Sequence, residues 1–125
     1  MMKRRVAVSI LFLLVMSMFF TGVVGAKKYR ILIMPKLMGI PYFNASEKGA
    51  LQAGVDLGAE VIYSGPTQID AAVQVKMIED YISRGVDAIC IAPNDPAAVT
   101  PVLKKARQKG IVVLDWDTPA DKAVV

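Results

Sequence analysis

Three segments of the chain repeat one pattern, in which a helical stretch ends, a glycine follows and an apolar run begins. They read DLGAEVIY, SRGVDAIC and QKGIVVLD, and their glycines are Gly58, Gly85 and Gly110. Glycine adopts most cheaply the left-handed conformation that closes a helix. Each segment therefore predicts a junction from helix to strand, and three such junctions predict regularly alternating helices and strands.

The predicted strands are continuously apolar rather than alternating, which is typical of parallel strands covered on both faces. The order β-α-β-α-β-α-β predicts an α/β fold, a doubly wound parallel sheet of four strands and three helices. Cys90, the one cysteine, is expected to be a small core residue. The predicted strands are Tyr29–Met34, Glu60–Tyr63, Val86–Ala92 and Ile111–Leu114.

Two of the three helices have more than one possible start. The first could begin with an Asn44–Glu47 capping box, or earlier with Pro41 in its first turn. The third could begin at Pro96 or at Pro101. Because proline inside a helix costs ~3 kcal/mol, we favour a loop or single turn first and the main helix from Pro101.

The apolar periodicity of the first two helices predicts which side of each helix packs on the sheet. For the first helix these residues are Ala50, Leu51, Gly54 and Val55. For the second they recur every four residues, at Ile69, Val73, Met77 and Tyr81, with Val75, Ile78 and Ile82 beside them.

The first 26 residues read as an export signal: MMKRR, then VAVSILFLLVMSMFF, then the small-residue processing site TGVVGA. We expect cleavage after residue 26 and a periplasmic or secreted protein. The alternative is an uncleaved anchor, because 6–26 could just span a bilayer. Residues 27–125 carry 12 basic and 11 acidic residues, so the charge gives no reason to expect a nucleic-acid partner.

Charged, amide and aromatic side chains follow the ends of the predicted strands. The carboxyl ends of parallel strands meet at one edge of the sheet, where ligands of such folds bind. Carboxylates accept from hydroxyls, lysine donates to them, and aromatic faces cover apolar ring faces, which suits a small polyhydroxylated ligand. The candidate ligand-binding residues are Lys36, Tyr42, Phe43, Asn94, Asp95, Asp115, Trp116 and Asp117.

Some of these residues also have a purely structural interpretation. Lys36 could be a solvated residue at a strand end, and Asp95 stands where a helix cap is common. Tyr42 and Phe43 could belong to the core of the first helix or to the wall of a ligand site.

The two acids around the tryptophan need not be equivalent. Side-chain alternation places Asp115 and Asp117 on one side and Trp116 on the other. One acid could serve the turn while the other faces the ligand.

Three stretches together resemble a known family. They are ILIMPKLMGIPYFNASEKGALQAGVDLG, YSGPTQIDAAVQVKMIEDYISRGVDAICIAPND and VVLDWD. They are similar to the N-terminal part of type I periplasmic solute-binding proteins of ABC importers, in the branch that binds autoinducer-2, rhamnose and other simple sugars. The resemblance implies that Lys36 and Asp117 contact ligand hydroxyls and that Tyr42 and Phe43 line the pocket. The chain departs from the autoinducer-2 binders at Pro119, where a further acid is common, and at Tyr42, where phenylalanine is common.

The same resemblance implies a two-lobed protein that presents its solute to the permease subunits of an ABC transporter. Residues 27–125 correspond to the N-terminal part of the first lobe, so we expect a truncated product without the second lobe that binds weakly on its own. We expect a monomer. A ligand-sensing ectodomain held by an uncleaved first helix is an alternative with the same ligand chemistry.

An enzyme is not expected. The chain has no histidine, no Walker A sequence and no metal-binding cluster of cysteine and histidine, so neither a cofactor nor a metal is predicted. VVLDWDT also resembles the aspartate motif of haloacid-dehalogenase-type phosphohydrolases, with Asp115 as the nucleophile and Asp117 as the acid and base. Thr118 stands one place too early for that motif, and the motif falls near the end of the chain rather than opening its domain.

Overall fold

The computed structural model describes residues 27–125, and the predicted export signal lies outside them. These residues form four strands and three helices in strict alternation. They are β1 Arg30–Met34, α1 Pro41–Leu57, β2 Glu60–Tyr63, α2 Ala71–Ser83, β3 Ala88–Ile91, α3 Pro96–Gln108 and β4 Val112–Asp115. The predicted element order is confirmed, although β3 is shorter than expected and β4 begins and ends one residue later.

All four strands are parallel and their spatial order is β2-β1-β3-β4. Leu32 of β1 lies level with Ile62 on one side and with Ile89 on the other. Right-handed crossovers then place α1 on one face of the sheet and α2 and α3 on the other, because the chain reverses its direction of travel across the sheet after β2. The doubly wound architecture is confirmed.

The hydrophobic core lies between the sheet and the α2–α3 pair. Strand side chains that point to this side are almost completely buried, and helix side chains of α2 and α3 pack onto them. The members with no exposed surface are Leu32, Met34, Ile78, Ile89, Ile91, Val99, Leu103, Ala106 and Val124.

The α1 side of the sheet is covered only in part. Gly54 is buried against β2, and an added Cβ would lie 2.7 Å from Val61 Cγ2, so α1 sits very close to that strand. At the far edge, Val112 and Leu114 of β4 are 56% and 53% exposed, while Val113 between them is 5% exposed. The prediction that this strand is covered on both faces is therefore wrong for residues 27–125, because α1 lies over β2 and does not reach β4.

The start predicted for α3 is wrong. The helix begins at Pro96 and contains Pro101, and Asp95 caps it by accepting from the amides of Ala97 and Ala98. This strong cap and a proline at the first helical position fix the earlier start. Pro101 deprives the carbonyl of Ala97 of its helical donor, but Ala97 is exposed, so water can replace the donor.

In α1 the earlier of the two possible starts is confirmed. The helix begins at Pro41 after Ile40, whose side chain makes no capping hydrogen bond, and Asn44 lies inside the helix. A cap at Asn44 is therefore excluded.

The predicted packing faces of α1 and α2 are partly wrong. In α1, Leu51 and Val55 are 44% and 77% exposed, and the close approach at Gly54 takes their place. In α2 the buried face is centred on Gln74, Ile78 and Ile82. The apolar spacing alone favoured the neighbouring row of residues that includes Val73 and Met77, because a polar glutamine does not count in an apolar pattern.

Candidate functional site

Lys36 and Asp117 meet at the carboxyl edge of the sheet. Lys36 follows β1 and Asp117 follows β4, yet Lys36 Nζ lies 2.9 Å from Asp117 Oδ2, and the two side chains remain 29% and 21% exposed. The predicted proximity of these two residues is confirmed. Lys36 Nζ also donates to the hydroxyl of Thr118, a contact that the sequence analysis missed although Thr118 is adjacent to Asp117.

The backbone at Asp117 is what turns its carboxylate toward Lys36. Asp117 has φ +63°, the only positive φ of a non-glycine residue among residues 27–125. The amide of Thr118 donates to the carbonyl of Trp116 at 2.7 Å, which closes a tight three-residue turn centred on Asp117. A non-glycine residue in this conformation is strained, and such strain is concentrated at functional sites.

Three aromatic rings lead from α1 to this turn. Tyr42 is 59% exposed, and its hydroxyl donates to Asp117 Oδ1 at 3.0 Å. Phe43 is 5% exposed and makes edge contacts with Tyr42 at 5.0 Å and with Trp116 at 5.6 Å between ring centroids. Of the two interpretations left open for these residues, Phe43 fits the core and Tyr42 fits the wall of a site. Phe43 packs beneath Tyr42 and Trp116, and Tyr42 lies at the rim.

The electrostatics of this cluster are those of a paired carboxylate. The Lys36 ammonium holds the pKa of the Asp117 carboxyl below its ordinary value, and the Tyr42 hydroxyl adds to the effect. The same hydrogen bond raises the pKa of the Tyr42 hydroxyl, because ionised Tyr42 would face the Asp117 carboxylate. At neutral pH the rim therefore presents an ionised acceptor, an ammonium donor and a neutral hydroxyl within reach of one small ligand.

Asp115 and Asp117 have separate roles in the structure. Asp115 Oδ2 accepts from the amide of Ala120 at 2.7 Å, so this carboxylate holds the turn after β4. The prediction that the two acids are not equivalent is confirmed, because Asp115 serves the turn whereas Asp117 contacts Lys36 and Tyr42. The indole nitrogen of Trp116 is buried without a hydrogen-bond partner among the described residues.

The residues predicted after β3 lie at the same edge and are already engaged by the protein. Asn94 Nδ2 donates to the carbonyl of Lys36 at 3.1 Å, which ties the loop after β3 to the loop after β1. Asp95 uses Oδ1 for both capping hydrogen bonds, and Oδ2 takes no part in them. The structural interpretation of Asp95 is thus confirmed, and one carboxylate oxygen remains outside the cap.

A buried glutamine that the sequence analysis missed lies beneath these loops. Gln74 in the first turn of α2 has no exposed surface and makes hydrogen bonds to backbone atoms of both loops. The signal was present in the sequence: Gln74 precedes Ile78 and Ile82 at intervals of four on one helix face. A polar residue on a buried apolar stripe is an informative exception to the pattern.

Cys90 is half-buried rather than a core residue, which corrects the prediction for it. Burial raises the pKa of its thiol. It lies in an apolar groove of about 260 Å³ on the partly covered side of the sheet, lined by Ile33, Ser46, Cys90, Leu114, Asp115 and Trp116.

Within residues 27–125, no group of three or more histidine, cysteine or carboxylate side chains is arranged to hold a metal ion. Across the same part of the chain, no helix has the length and apolar character needed to cross a membrane.

Residues 31–125 match the family of the periplasmic binding protein domain. The chain is 34% identical over 102 residues to the D-ribose/D-allose-binding protein of Pseudomonas aeruginosa, covering 79% of this chain and 32% of that protein. It is 29% identical over 99 residues to the ribose import binding protein RbsB of Bacillus subtilis, with 79% and 32% covered. The chain thus spans about a third of the length of these relatives.

Solved structures of solute-binding proteins are also similar to this chain. LsrB from Clostridium saccharobutylicum in complex with AI-2 superposes with a TM-score of 0.74 at 35% identity, covering 76% of this chain and 29% of that one. A solute-binding protein of an ABC transporter from Burkholderia graminis, in complex with D-arabinose, superposes with a TM-score of 0.73 at 38% identity, covering 78% and 34%.

Proposed function

This chain belongs to the periplasmic binding protein domain family, and we propose that it forms one side of a binding site for a small sugar-like solute. The complete protein captures this solute outside the inner membrane and delivers it to the permease subunits of an ABC importer. Binding rather than catalysis is the expected activity. The observation that carries the proposal is the Lys36–Asp117 pair, set with the exposed Tyr42 at the carboxyl edge of the sheet.

The place of the pair supports the proposal. β1 and β3 are neighbours in the sheet, but the chain leaves β1 for α1 on one face and leaves β3 for α3 on the other. The two loops therefore diverge and leave a crevice at the edge where ligands of open α/β sheets bind. Lys36 and Asn94 belong to these two loops, and Asp117 follows the next strand along the edge.

The chemistry of the pair suits hydroxyl groups arranged around a small ring. An arriving hydroxyl can donate to Asp117 and accept from Lys36, so it replaces the direct contact between the two without leaving a charge unpaired. Hydrogen bonds to charged groups contribute roughly 1.5–3 kcal/mol net, so a few of them select for one hydroxyl pattern. The exposed ring of Tyr42 can cover the apolar face of the sugar.

The names of the relatives support a sugar as the solute class. The ligands in these names are D-ribose, D-allose, D-arabinose and AI-2, all small and rich in hydroxyl groups. Relatives about three times as long have room for a second half of the site, which agrees with a two-lobed protein that encloses its solute.

We expect Asp95, through Oδ2, and Trp116 to add contacts with the solute from this side of the site.

The test is a chimera in which residues 27–125 replace the matched part of the P. aeruginosa D-ribose/D-allose-binding protein. Melting temperatures are measured with and without D-ribose, D-allose, D-arabinose and AI-2. We expect at least one of them to raise the melting temperature, and Asp117→Ala to abolish the rise because the central acceptor is lost. Asp80→Ala is the control, since it removes the same charge near the C-terminal end of α2, at the opposite edge of the sheet. A cooperatively melting chimera that no sugar stabilises, or an undiminished rise in Asp117→Ala, would falsify the proposal.

A further inference from the structure

Gln74 is a buried polar side chain that the proposed hydroxyl chemistry does not use. It has no exposed surface and is the only polar residue of the buried set among residues 27–125. Burial of an amide is costly unless its hydrogen bonds are made. A glutamine in this place therefore needs a structural or functional reason.

The hydrogen bonds of Gln74 all go to the two loops that flank the crevice. Its Nε2 donates to the carbonyl of Ala92 at 2.9 Å and, at 3.4 Å, to that of Pro35. Its Oε1 accepts from the amide of Asn94 at 2.9 Å. Only an amide side chain supplies two donors and an acceptor on one planar group, so neither an apolar residue nor a carboxylate of similar length can replace these contacts.

A continuous chain of contacts leads from Gln74 to the site. Gln74 fixes the backbone of Asn94, and the Asn94 side chain donates to the carbonyl of Lys36. Gln74 also holds the carbonyl of Pro35, the residue before Lys36. Lys36 in turn pairs with Asp117. The backbone on both sides of the crevice is thus fixed from below by one side chain.

We propose that Gln74, acting through Asn94, is the positioning residue that holds Lys36 against Asp117 and so preorganises the ligand site. This inference rests on the proposed function for its consequence in sugar binding, but not for its structural content. Preorganisation matters because a loop that must be ordered on binding lowers the affinity by the cost of that ordering.

The first test needs no ligand. In the full chain, NMR titration follows the carboxyl of Asp117, whose pKa is lowered chiefly by Lys36, while Tyr42 and Thr118 are its other polar neighbours. In Gln74→Met, which keeps the length and adds no charge, we expect this pKa to rise toward the ordinary carboxyl value because Lys36 is no longer held. Asn94→Ala should give the same direction of change while leaving the core under α2 intact, and it serves if Gln74→Met does not fold.

The control separates positioning from simple destabilisation. Ile78 lies one turn further along α2, is equally buried and makes no contact with either loop backbone through a polar group. Ile78→Val should lower the melting temperature without changing the Asp117 pKa. An Asp117 pKa that stays constant in folded Gln74→Met overturns the inference, as does an equal change in Ile78→Val. If Gln74→Met does not fold, a constant pKa in Asn94→Ala overturns it.

The second test links Gln74 to binding. In the chimera described above, Gln74→Met should weaken binding of the stabilising sugar by about tenfold, the equivalent of one net hydrogen bond, while Ile78→Val leaves the affinity unchanged. Equal affinity in the parent and Gln74→Met chimeras would overturn the role of Gln74 in binding. If no sugar binds the parent chimera, the proposed function fails, and the NMR titration still decides whether Gln74 positions Lys36.

Discussion

Asp117 combines the two properties that define the site at the level of single residues. It is the acceptor for Lys36 and Tyr42, and it occupies a backbone conformation that costs an ordinary side chain free energy. The sequence predicted its partner, because both residues follow strands of one parallel sheet. It did not predict the three-residue turn, since aspartate tolerates a positive φ but is also common in other conformations, so Trp-Asp-Thr is only a weak signal for one.

The strain at Asp117 can be measured by comparing two variants that both lack the carboxylate. Asp117→Gly and Asp117→Ala lose the same ion pair and hydrogen bond, but only alanine retains a Cβ in the left-handed conformation. We expect the alanine variant to be less stable to urea unfolding by ~1 kcal/mol, the usual cost of this conformation for an L-residue. If the alanine variant is at least as stable as the glycine variant, the turn seen at Asp117 does not persist in solution.

At the scale of helices and strands, sequence patterns predicted the order and type of elements better than their contacts. Glycine followed by an apolar run located three of the four strands, because these junctions depend on local conformation. The packing face of α1 was wrong because the contact is made by the absence of a side chain at Gly54. The face of α2 was displaced because Gln74 is buried through hydrogen bonds to loops that are distant in sequence.

Two glycines of α1 provide a matched test of how this helix packs. An added Cβ at Gly54 meets Val61 Cγ2 at 2.7 Å, whereas one at Gly49 meets nothing within 4 Å. Gly49→Ala should stabilise the chain by roughly 0.5–1 kcal/mol, since alanine favours the helix. Gly54→Ala should destabilise it by roughly 1–3 kcal/mol, because α1 must move away from β2. Urea unfolding of both variants gives the comparison. Stabilisation by both would show that α1 does not lie against β2 at this distance.

The α1–β2 contact also supports the site. The hydroxyl of Tyr63 in β2 donates to the carbonyl of Phe43 at 2.9 Å. It also lies 2.7 Å from the hydroxyl of Ser46. These contacts fix the first turns of α1, which carry Tyr42 and Phe43. Tyr42 and Phe43 are therefore positioned by a side chain of β2, just as Lys36 is positioned by a side chain of α2.

At the scale of the whole molecule, a paired aspartate holds each edge of the sheet. At the carboxyl edge Asp117 pairs with Lys36. At the amino edge Asp87, just before β3, pairs with Lys27 and accepts from the amide of Arg30 at 2.9 Å. Each pair joins segments far apart in sequence, so each stabilises the native arrangement of the strands rather than a local element.

These two aspartates give the chain a defined response to acid. The pKa of Asp117 is lowered chiefly by Lys36, and that of Asp87 by Lys27 and then by the Arg30 amide. Because both carboxyls titrate below their unfolded value of about 3.9, their stabilising contribution is fully present above that pH. It is lost as the pH falls through the lower native values, where the folded state must take up protons.

We therefore expect the urea midpoint to fall as the pH is lowered from about 5 to about 2, and to fall less in the double variant Asp87→Asn/Asp117→Asn, which lacks both of these carboxylates. The control is Asp56→Asn/Asp80→Asn, which removes two charges from exposed helix positions that form no ion pair within residues 27–125. In this control variant, the urea midpoint should fall at low pH almost as much as it does in the parent chain. If the edge variant loses as much stability as the parent chain, then neither pair contributes measurably to the stability of the fold.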